Sequence, residues 1–180
     1  MDSLRGHLLI AGASLWDPNF RRTVVLVGHH DEEGAVGVVL NRPTETTVAE
    51  AAPPLVDLVG GDEPVFVGGP VQPQSAVVVA DFEHPEAARL IAFGTVGFLP
   101  DESDPDVIGP IRAARLFAGY TGWGPGQLED EIGEDSWIVE PAAPADVFTE
   151  DPDHLWEDVL RRKGRRFDLL RTMPVDPSMN

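Results

Sequence analysis

The sequence predicts an α+β fold built from many short strands and few helices, organised as a single domain over residues 1–180. Runs rich in β-branched residues, such as residues 23–30, alternate with turns rich in glycine and proline. Only residues 151–164 carry a clear helical pattern. A length of 180 residues with 42% hydrophobic content is enough to bury a substantial core.

Composition excludes several classes of protein. The chain has no cysteine, which rules out a disulfide framework, thiolate catalysis and thiolate metal sites. No apolar run approaches the roughly 18 residues that a membrane-spanning helix needs, and the first residues lack a signal-peptide pattern. We therefore expect a soluble, cytoplasmic protein with no membrane partner.

The net charge of −18 is unevenly distributed. Residues 1–150 hold 25 acidic and 7 basic side chains, whereas residues 151–180 hold 6 of each. An acidic body repels a phosphate backbone, and a basic run at residues 161–166 is typical of the last turn of a helix that complements its own dipole. The charge distribution weighs against direct DNA binding.

The first half of the chain is predicted to be mainly strand. Asp17-Pro18-Asn19-Phe20 is a turn sequence, and Thr47 is a candidate N-cap for a short helix that reaches Ala52. Proline ends the third strand at Asn41-Arg42-Pro43 because it lacks a backbone N–H. The predicted strands, of which the second and third form a hairpin, are residues 4–11, 23–30 and 35–40.

The second half adds strands, one helical turn near residues 85–90 and one longer helix. Residues 111–116 are compatible with either helix or strand. In the longer helix Asp151 is the cap, Pro152 occupies the first position, and the apolar stripe is Leu155, Trp156, Val159 and Leu160. The predicted strands are residues 65–67, 75–80, 91–96, 115–118, 136–140 and 147–149.

The stretch from Gly119 to Ile132 is the most unusual in the chain. Four glycines and a proline fall between Gly119 and Gly126, together with two large aromatic residues. This composition predicts a strained turn between a strand and the start of a helix. The turn is either a tightly packed structural element or one wall of a site.

Several motifs together resemble the YqgE/AlgH family of small bacterial proteins, in an order and spacing that span nearly the full chain. They are Gly6-His7-Leu8-Leu9-Ile10-Ala11, Asp17-Pro18-Asn19-Phe20-Arg21-Arg22-Thr23-Val24-Val25, Gly34-Ala35-Val36-Gly37-Val38-Val39-Leu40-Asn41-Arg42-Pro43, Gly68-Gly69-Pro70-Val71, Gly119 to Ile132 with Trp137, and Asp176-Pro177-Ser178-Met179-Asn180. The sequence departs from the family pattern over residues 44–64 and 83–110 and at Met179, where leucine is common.

The resemblance implies a bifurcated, mostly antiparallel β-sheet folded into a pseudo-barrel with a few flanking helices. Members of this family are labelled transcriptional regulators by association with alginate control. No catalytic residues are settled for the family, so the resemblance transfers none to this chain.

No recognised catalytic, metal or phosphate motif is present, so the sequence predicts no cofactor and no metal. His29 and His30 are adjacent on a predicted strand and would point to opposite faces, which prevents them from sharing one ion. Ser14 or Ser75 with His7 or His30 could form a hydrolase site, yet no Gly-x-Ser-x-Gly elbow occurs.

What the turns do share is polar and aromatic side chains at their tips. If they converge, they form a cleft that suits a small ligand or a peptide. The leading hypothesis is a non-enzymatic binding or regulatory module with an unidentified protein partner or small ligand, and the alternative is a hydrolase or transferase that uses a Ser/His pair. The predicted cleft residues are Asn41, Arg42, Gly68, Gly69, Pro70, Tyr120, Trp123, Gln127 and Glu129.

Overall fold

Ten strands and six α-helices form in residues 2–101 and 104–164, which are the residues that this computed structural model describes. Residues Arg165-Arg166 of the basic run and the motif Asp176–Asn180 lie outside them. None of the described helices is long and apolar enough to cross a membrane. The strands are β1 His7–Ala11, β2 Val24–Asp31, β3 Gly34–Val39, β4 Pro43–Thr47, β5 Pro64–Val67, β6 Val71–Phe82, β7 Leu90–Phe93, β8 Val96–Phe98, β9 Ile111–Trp123 and β10 Trp137–Pro141. The helices are α1 Val48–Ala51, α2 Val56–Val59, α3 Pro105–Ile108, α4 Gln127–Gly133, α5 Pro144–Val147 and α6 Leu155–Lys163.

The strands form a sheet that branches at β9. Neighbours in the order β10-β1-β2-β3-β9-β6-β8-β7 pair antiparallel. Strand β5 joins β9 in parallel, and β4 pairs with β5. Residues 121–123 of β9 pair with β3, and residues 117 and 118 pair with β5. Within the described residues no pairing links β7 to β10, so the sheet stays open. The predicted α+β class with a bifurcated, mostly antiparallel sheet is confirmed.

Both faces of β1 and β2 are buried, as their apolar runs predict. Leu8 and Leu26 point into a first core that also contains Phe117 of β9. Leu9 and Val25 point into a second core on the opposite face. The first core therefore lies between the two branches of the sheet. Helix α6 covers it with the predicted stripe Leu155, Trp156, Val159 and Leu160, which is buried.

Two local predictions were wrong. Residues 91–96 form not one strand but the hairpin β7–β8, which turns at Gly94 with a positive φ of 53°. Residues 147–149 are not an edge strand, because Val147 ends helix α5. Pro144 occupies the first turn of that helix, and the Asp146 carboxylate accepts a hydrogen bond of 2.8 Å from the Ala143 N–H.

The predicted turn at Gly119 was also wrong in position. Strand β9 continues through Trp123, the turn occupies residues 124–126, and α4 begins at Gln127. Gly119 is an irregular position within the strand, with a φ of +74°. A Cβ there would lie 2.6 Å from the carbonyl oxygen of Gly69. The glycine thus permits a close approach of two backbones inside the sheet.

Candidate functional site

The structure places the predicted cleft residues in three groups. The first is the branch of the sheet, the second is the end of β3, and the third surrounds α4. The first two groups are neighbours, because the Val67 N–H donates to the Arg42 carbonyl at 2.9 Å. The group at the branch of the sheet is Gly68, Gly69, Pro70 and Tyr120. The group at the end of β3 is Asn41 and Arg42, and the group around α4 is Trp123, Gln127 and Glu129.

At the branch of the sheet the glycines bring backbones together. Gly68 donates its N–H to the Ala118 carbonyl at 2.9 Å and accepts from the Val39 N–H at 2.8 Å. A Cβ at Gly69 would lie 2.6 Å from the Thr121 nitrogen. Tyr120 is partly buried against the first core. The room left by the missing side chains of these glycines is filled by the main chain of β9.

Asn41 connects the end of β3 to the start of β2. Its side-chain oxygen accepts from the Val24 N–H at 3.0 Å, and its amide nitrogen donates to the Arg22 carbonyl at 2.9 Å. Asparagine suits this position because its side chain carries both a donor and an acceptor.

Arg42 holds the adjacent turn, residues 17–22. Its guanidinium donates to the Asn19 carbonyl at 2.7 Å and to the Arg21 carbonyl at 3.1 Å. Burial lowers the Arg42 pKa from its usual value, the charge of Arg21 lowers the pKa further, and Asp17 opposes both. Carbonyl oxygens satisfy hydrogen bonds without cancelling charge, so the positive charge of Arg42 persists here.

Around α4, two buried tryptophans share one carboxylate. The indole N–H groups of Trp123 and Trp137 both donate to Glu131 Oε1, at 3.4 and 3.2 Å. The two rings meet edge to face with centroids 6.0 Å apart. Within the described residues Glu131 Oε2 is buried without a hydrogen-bond partner. Phe20 also meets Trp137 edge to face, with ring centroids 5.8 Å apart.

The other polar side chains of this region also have partners within the chain. Gln127 closes the turn before α4 by accepting from the Gly124 N–H at 3.0 Å. Glu129 Oε1 lies 2.5 Å from His30 Nε2, and His30 Nδ1 accepts from the Leu4 N–H at 2.9 Å. Neutral His30 therefore carries its proton on Nε2 and donates it to Glu129. This hydrogen bond lowers the pKa of the Glu129 carboxyl.

These contacts bear on the Ser/His hypothesis and on the question of a metal site at His29 and His30. Both ring nitrogens of His30 are engaged, and Ser75 donates to Gln72 at 3.1 Å. In the described part of the chain neither Ser14 nor Ser75 donates to a histidine. His29 is exposed and lies 2.7 Å from Asp31. No group of three or more His, Asp or Glu among the described residues could hold a metal ion.

The described part of the basic run faces carboxylates of the same chain. Arg161 lies 3.3 Å from Asp158, Arg162 lies 2.9 Å from Asp146, and Lys163 lies 3.6 Å from Glu140. Intramolecular pairing of this kind lowers the field that the run presents to an outside phosphate.

A known protein family matches this chain over most of its length, from β1 to beyond the end of α6. Residues 8–168 match the model of a family described as AlgH-like. The chain belongs to the AlgH-like family. A UPF0301 protein of Streptomyces coelicolor is 44% identical to it over 187 residues, covering 100% of this chain and 97% of the relative. A UPF0301 protein of Mycobacteroides abscessus is 41% identical over 182 residues, covering 97% and 87%.

Two solved structures share the fold of this AlgH-like chain. The crystal structure of protein DIP2367 from Corynebacterium diphtheriae superposes with a TM-score of 0.84 at 31% identity, covering 96% of this chain and 93% of that one. The solution structure of the AlgH protein from Pseudomonas aeruginosa superposes with a TM-score of 0.73 at 29% identity, covering 96% and 95%. The resemblance inferred from the motifs is confirmed.

The sequence reasoning overlooked Arg21 in this AlgH-like chain. Its carbonyl binds Arg42, and its charge is close enough to lower the Arg42 pKa. A signal was available, because Arg21 is one of only seven basic residues in residues 1–150 and belongs to a motif that carries the family resemblance.

Proposed function

We propose that this AlgH-like chain is a non-enzymatic binding module with a regulatory role, and that it binds through the turn of residues 17–22 together with Asn41 and Arg42. We call this surface the arginine turn. The observation that carries the proposal is the neighbouring pair Arg21 and Arg42. In the described part of the chain neither has a carboxylate within ion-pair distance, although the net charge is −18.

Of the predicted cleft residues, Asn41 and Arg42 of the arginine turn are the better supported. The glycines of the sheet branch contact backbone, and Gln127 and Glu129 bind groups of their own chain. A binding surface needs donors or charges that folding has not already used. Arg21 and Arg42 meet that requirement.

Two alternatives have less support. A Ser/His hydrolase needs a serine that donates to a histidine nitrogen. Both nitrogens of His30 are engaged, and among the described residues the buried, unpartnered Nδ1 of His7 accepts from neither Ser14 nor Ser75. Direct DNA binding needs a basic surface, whereas Arg161, Arg162 and Lys163 pair with carboxylates. A regulatory role would therefore act through a small ligand or another protein.

The test compares the wild-type chain with Arg21→Glu, using Arg89→Glu as the matched control. Arg89 is an exposed arginine that lies 2.9 Å from Asp101, outside the arginine turn. Ligand-induced thermal shifts against a metabolite collection, with affinity capture in parallel, should give binding that Arg21→Glu loses and Arg89→Glu keeps.

Two results would overturn the proposal. One is an identical set of bound species for the wild type and both variants. The other is turnover of a substrate by the purified chain with a rate that His7→Asn or His30→Asn abolishes.

A further inference from the structure

We infer that the arginine turn binds a compact dianionic oxyanion, with phosphate monoesters as the ligand class. The inference rests on the proposed function, since it names the chemistry of the same surface. Four observations support it: the ion pairing of five other basic side chains, the hydrogen bonds that hold Arg42, the unpaired side chain of Arg21 within the described residues, and the limit that the surrounding negative charge sets on the size of the anion.

The first step is the distribution of cations. In this acidic chain five described basic side chains form ion pairs with carboxylates. Arg115 is buried and donates to the carbonyls of Val147 and Thr149, and Arg22 lies over the Trp156 ring. Arg21 and Arg42 have no such pair, and neither does the exposed Arg5, which lies outside the arginine turn. The five paired side chains are Arg89, Arg112, Arg161, Arg162 and Lys163.

The second step is the geometry of Arg42. Two carbonyls of the turn fix its guanidinium, through donors at 2.7 and 3.1 Å. A guanidinium has five N–H groups, so donors remain after these two bonds. Because the group is already held in place, a ligand that binds it loses less conformational entropy.

The third step is the freedom of Arg21. Within the described residues its side chain has no hydrogen bond and no ion pair. Its main-chain carbonyl accepts from Arg42, so the Arg42 guanidinium lies at the turn that carries Arg21. Two neighbouring guanidiniums repel each other, and an oxyanion between them converts that repulsion into two attractive contacts. Asp17 is the charged group that opposes this, since it lies close enough to raise the Arg42 pKa.

The fourth step sets the size of the anion. A net charge of −18 repels a polyanion that must lie along the surface. Screening confines that repulsion to about 8 Å at physiological ionic strength. A small anion that contacts the two guanidiniums directly gains their short-range attraction and spans little of the acidic surface. Two cations match a doubly charged phosphate monoester better than a singly charged carboxylate.

The experiment is a titration of the folded full chain at constant ionic strength, followed by backbone amide NMR shifts. The probes are inorganic phosphate, phenyl phosphate, acetate and a short duplex DNA. The two phosphates should shift amides of residues 17–22 with saturation, acetate should bind at least several-fold more weakly, and duplex DNA should not compete. Duplex DNA binding as tightly as phenyl phosphate, or shifts spread evenly over the acidic surface, would overturn the inference.

Three variants sharpen the result. Arg21→Gln should weaken phenyl phosphate about tenfold, the loss expected for a charge-assisted contact. Asp17→Asn should strengthen binding, because it removes the opposing charge while its side-chain oxygen can still accept from the Asn19 N–H at 2.8 Å. Arg89→Gln should match the wild type. A gain of affinity in Asp17→Asn cannot arise from unfolding.

The outcomes also separate this inference from the proposed function. If phosphates do not bind but Arg21→Glu still loses another ligand or partner, the oxyanion assignment fails and the binding module stands. If phosphates bind equally to the wild type, Arg21→Gln and Asp17→Asn, the oxyanion assignment fails because the contact is non-specific. If Arg21→Glu changes no binding of any kind, both fail.

Discussion

The arginine turn and the region around α4 both contain polar and aromatic side chains near turns, but their polar groups have different partners. Around α4, polar side chains meet complementary groups of the chain: Glu129 meets His30, and both indole N–H groups meet Glu131. In the arginine turn, the Arg42 guanidinium donates only to carbonyls, and the Arg21 side chain has no hydrogen bond or ion pair within the described residues. Polar residues in such turns can therefore either bond to other groups of the fold or carry an uncompensated charge that a binding partner can contact.

Compensation of charge is what distinguishes the two regions. A hydrogen bond to a carbonyl fixes an arginine in position but leaves its field intact. In the hydrogen bond between His30 and Glu129, by contrast, the donor and the charged acceptor satisfy each other. We therefore expect substitutions around α4 to lower stability. In the arginine turn we expect a side chain that bonds the chain itself to affect stability, and a side chain without such a bond to affect mainly binding.

The largest effect should come from Trp137→Ala in the region around α4. The change removes a buried indole that contacts Phe20 and Trp123, and should lower the free energy of unfolding by about 3–5 kcal/mol. Urea unfolding followed by circular dichroism measures it. Trp16→Ala, at a half-buried position, is the control and should cost clearly less. Equal losses would contradict a central role for the tryptophan pair.

Asn41→Ala should be next in size. It leaves the Val24 N–H and the Arg22 carbonyl without their side-chain partner, at a cost of about 1–3 kcal/mol in unfolding free energy. Asn19→Ala is the matched control, because within the described residues Asn19 makes its hydrogen bonds through its backbone N–H and carbonyl. If the two variants unfold at the same urea concentration, Asn41 does not hold the turn.

Glu129→Gln should have a smaller, pH-dependent effect. Its hydrogen bond to His30 lowers the Glu129 pKa from the ordinary value of 4.5. A lowered carboxyl pKa gives stability that is fully present above the unfolded value and is lost as the pH falls through the folded value. The Glu129 side chain is 31% exposed, so the contribution should be about 0.5–1 kcal/mol.

Urea unfolding of the wild type and Glu129→Gln at neutral and acid pH measures this contribution. The difference in stability should be present at pH 7 and shrink below pH 4.5. A difference that grows with acidity would have the wrong sign for this hydrogen bond.

Arg21→Gln should change stability least, by no more than about 0.5 kcal/mol, because its side chain has no partner to lose. Arg42→Gln should cost about 1–2 kcal/mol through two lost hydrogen bonds to carbonyls. Thermal unfolding of both variants compares them directly. A destabilised Arg21→Gln would show that Arg21 supports the fold rather than a ligand.

Much of the secondary structure was predictable because local patterns carry it. The runs that form β1, β2 and β3 are apolar and β-branched, and the stripe of α6 has helical spacing. The errors at residues 91–96 and 147–149 lie where local and tertiary preferences conflict. Gly94 folds one predicted strand into a hairpin, and Pro144 with Asp146 starts a helix over residues that favour strand.

The sequence by itself determined the fold class, the family and the identity of the unusual residues, because composition, periodicity and motif order are properties of the chain alone. Only the tertiary structure decided what those residues contact. Gly119 bends a strand rather than forming a turn, since the backbones of Gly69 and Val71 approach it. The sequence presented Arg42 as a scarce cation, but the loop that holds it and its neighbour Arg21 became visible only in the fold. Charge compensation depends on distances across the fold, and those distances are set when β2, β3 and the turn between β1 and β2 pack together.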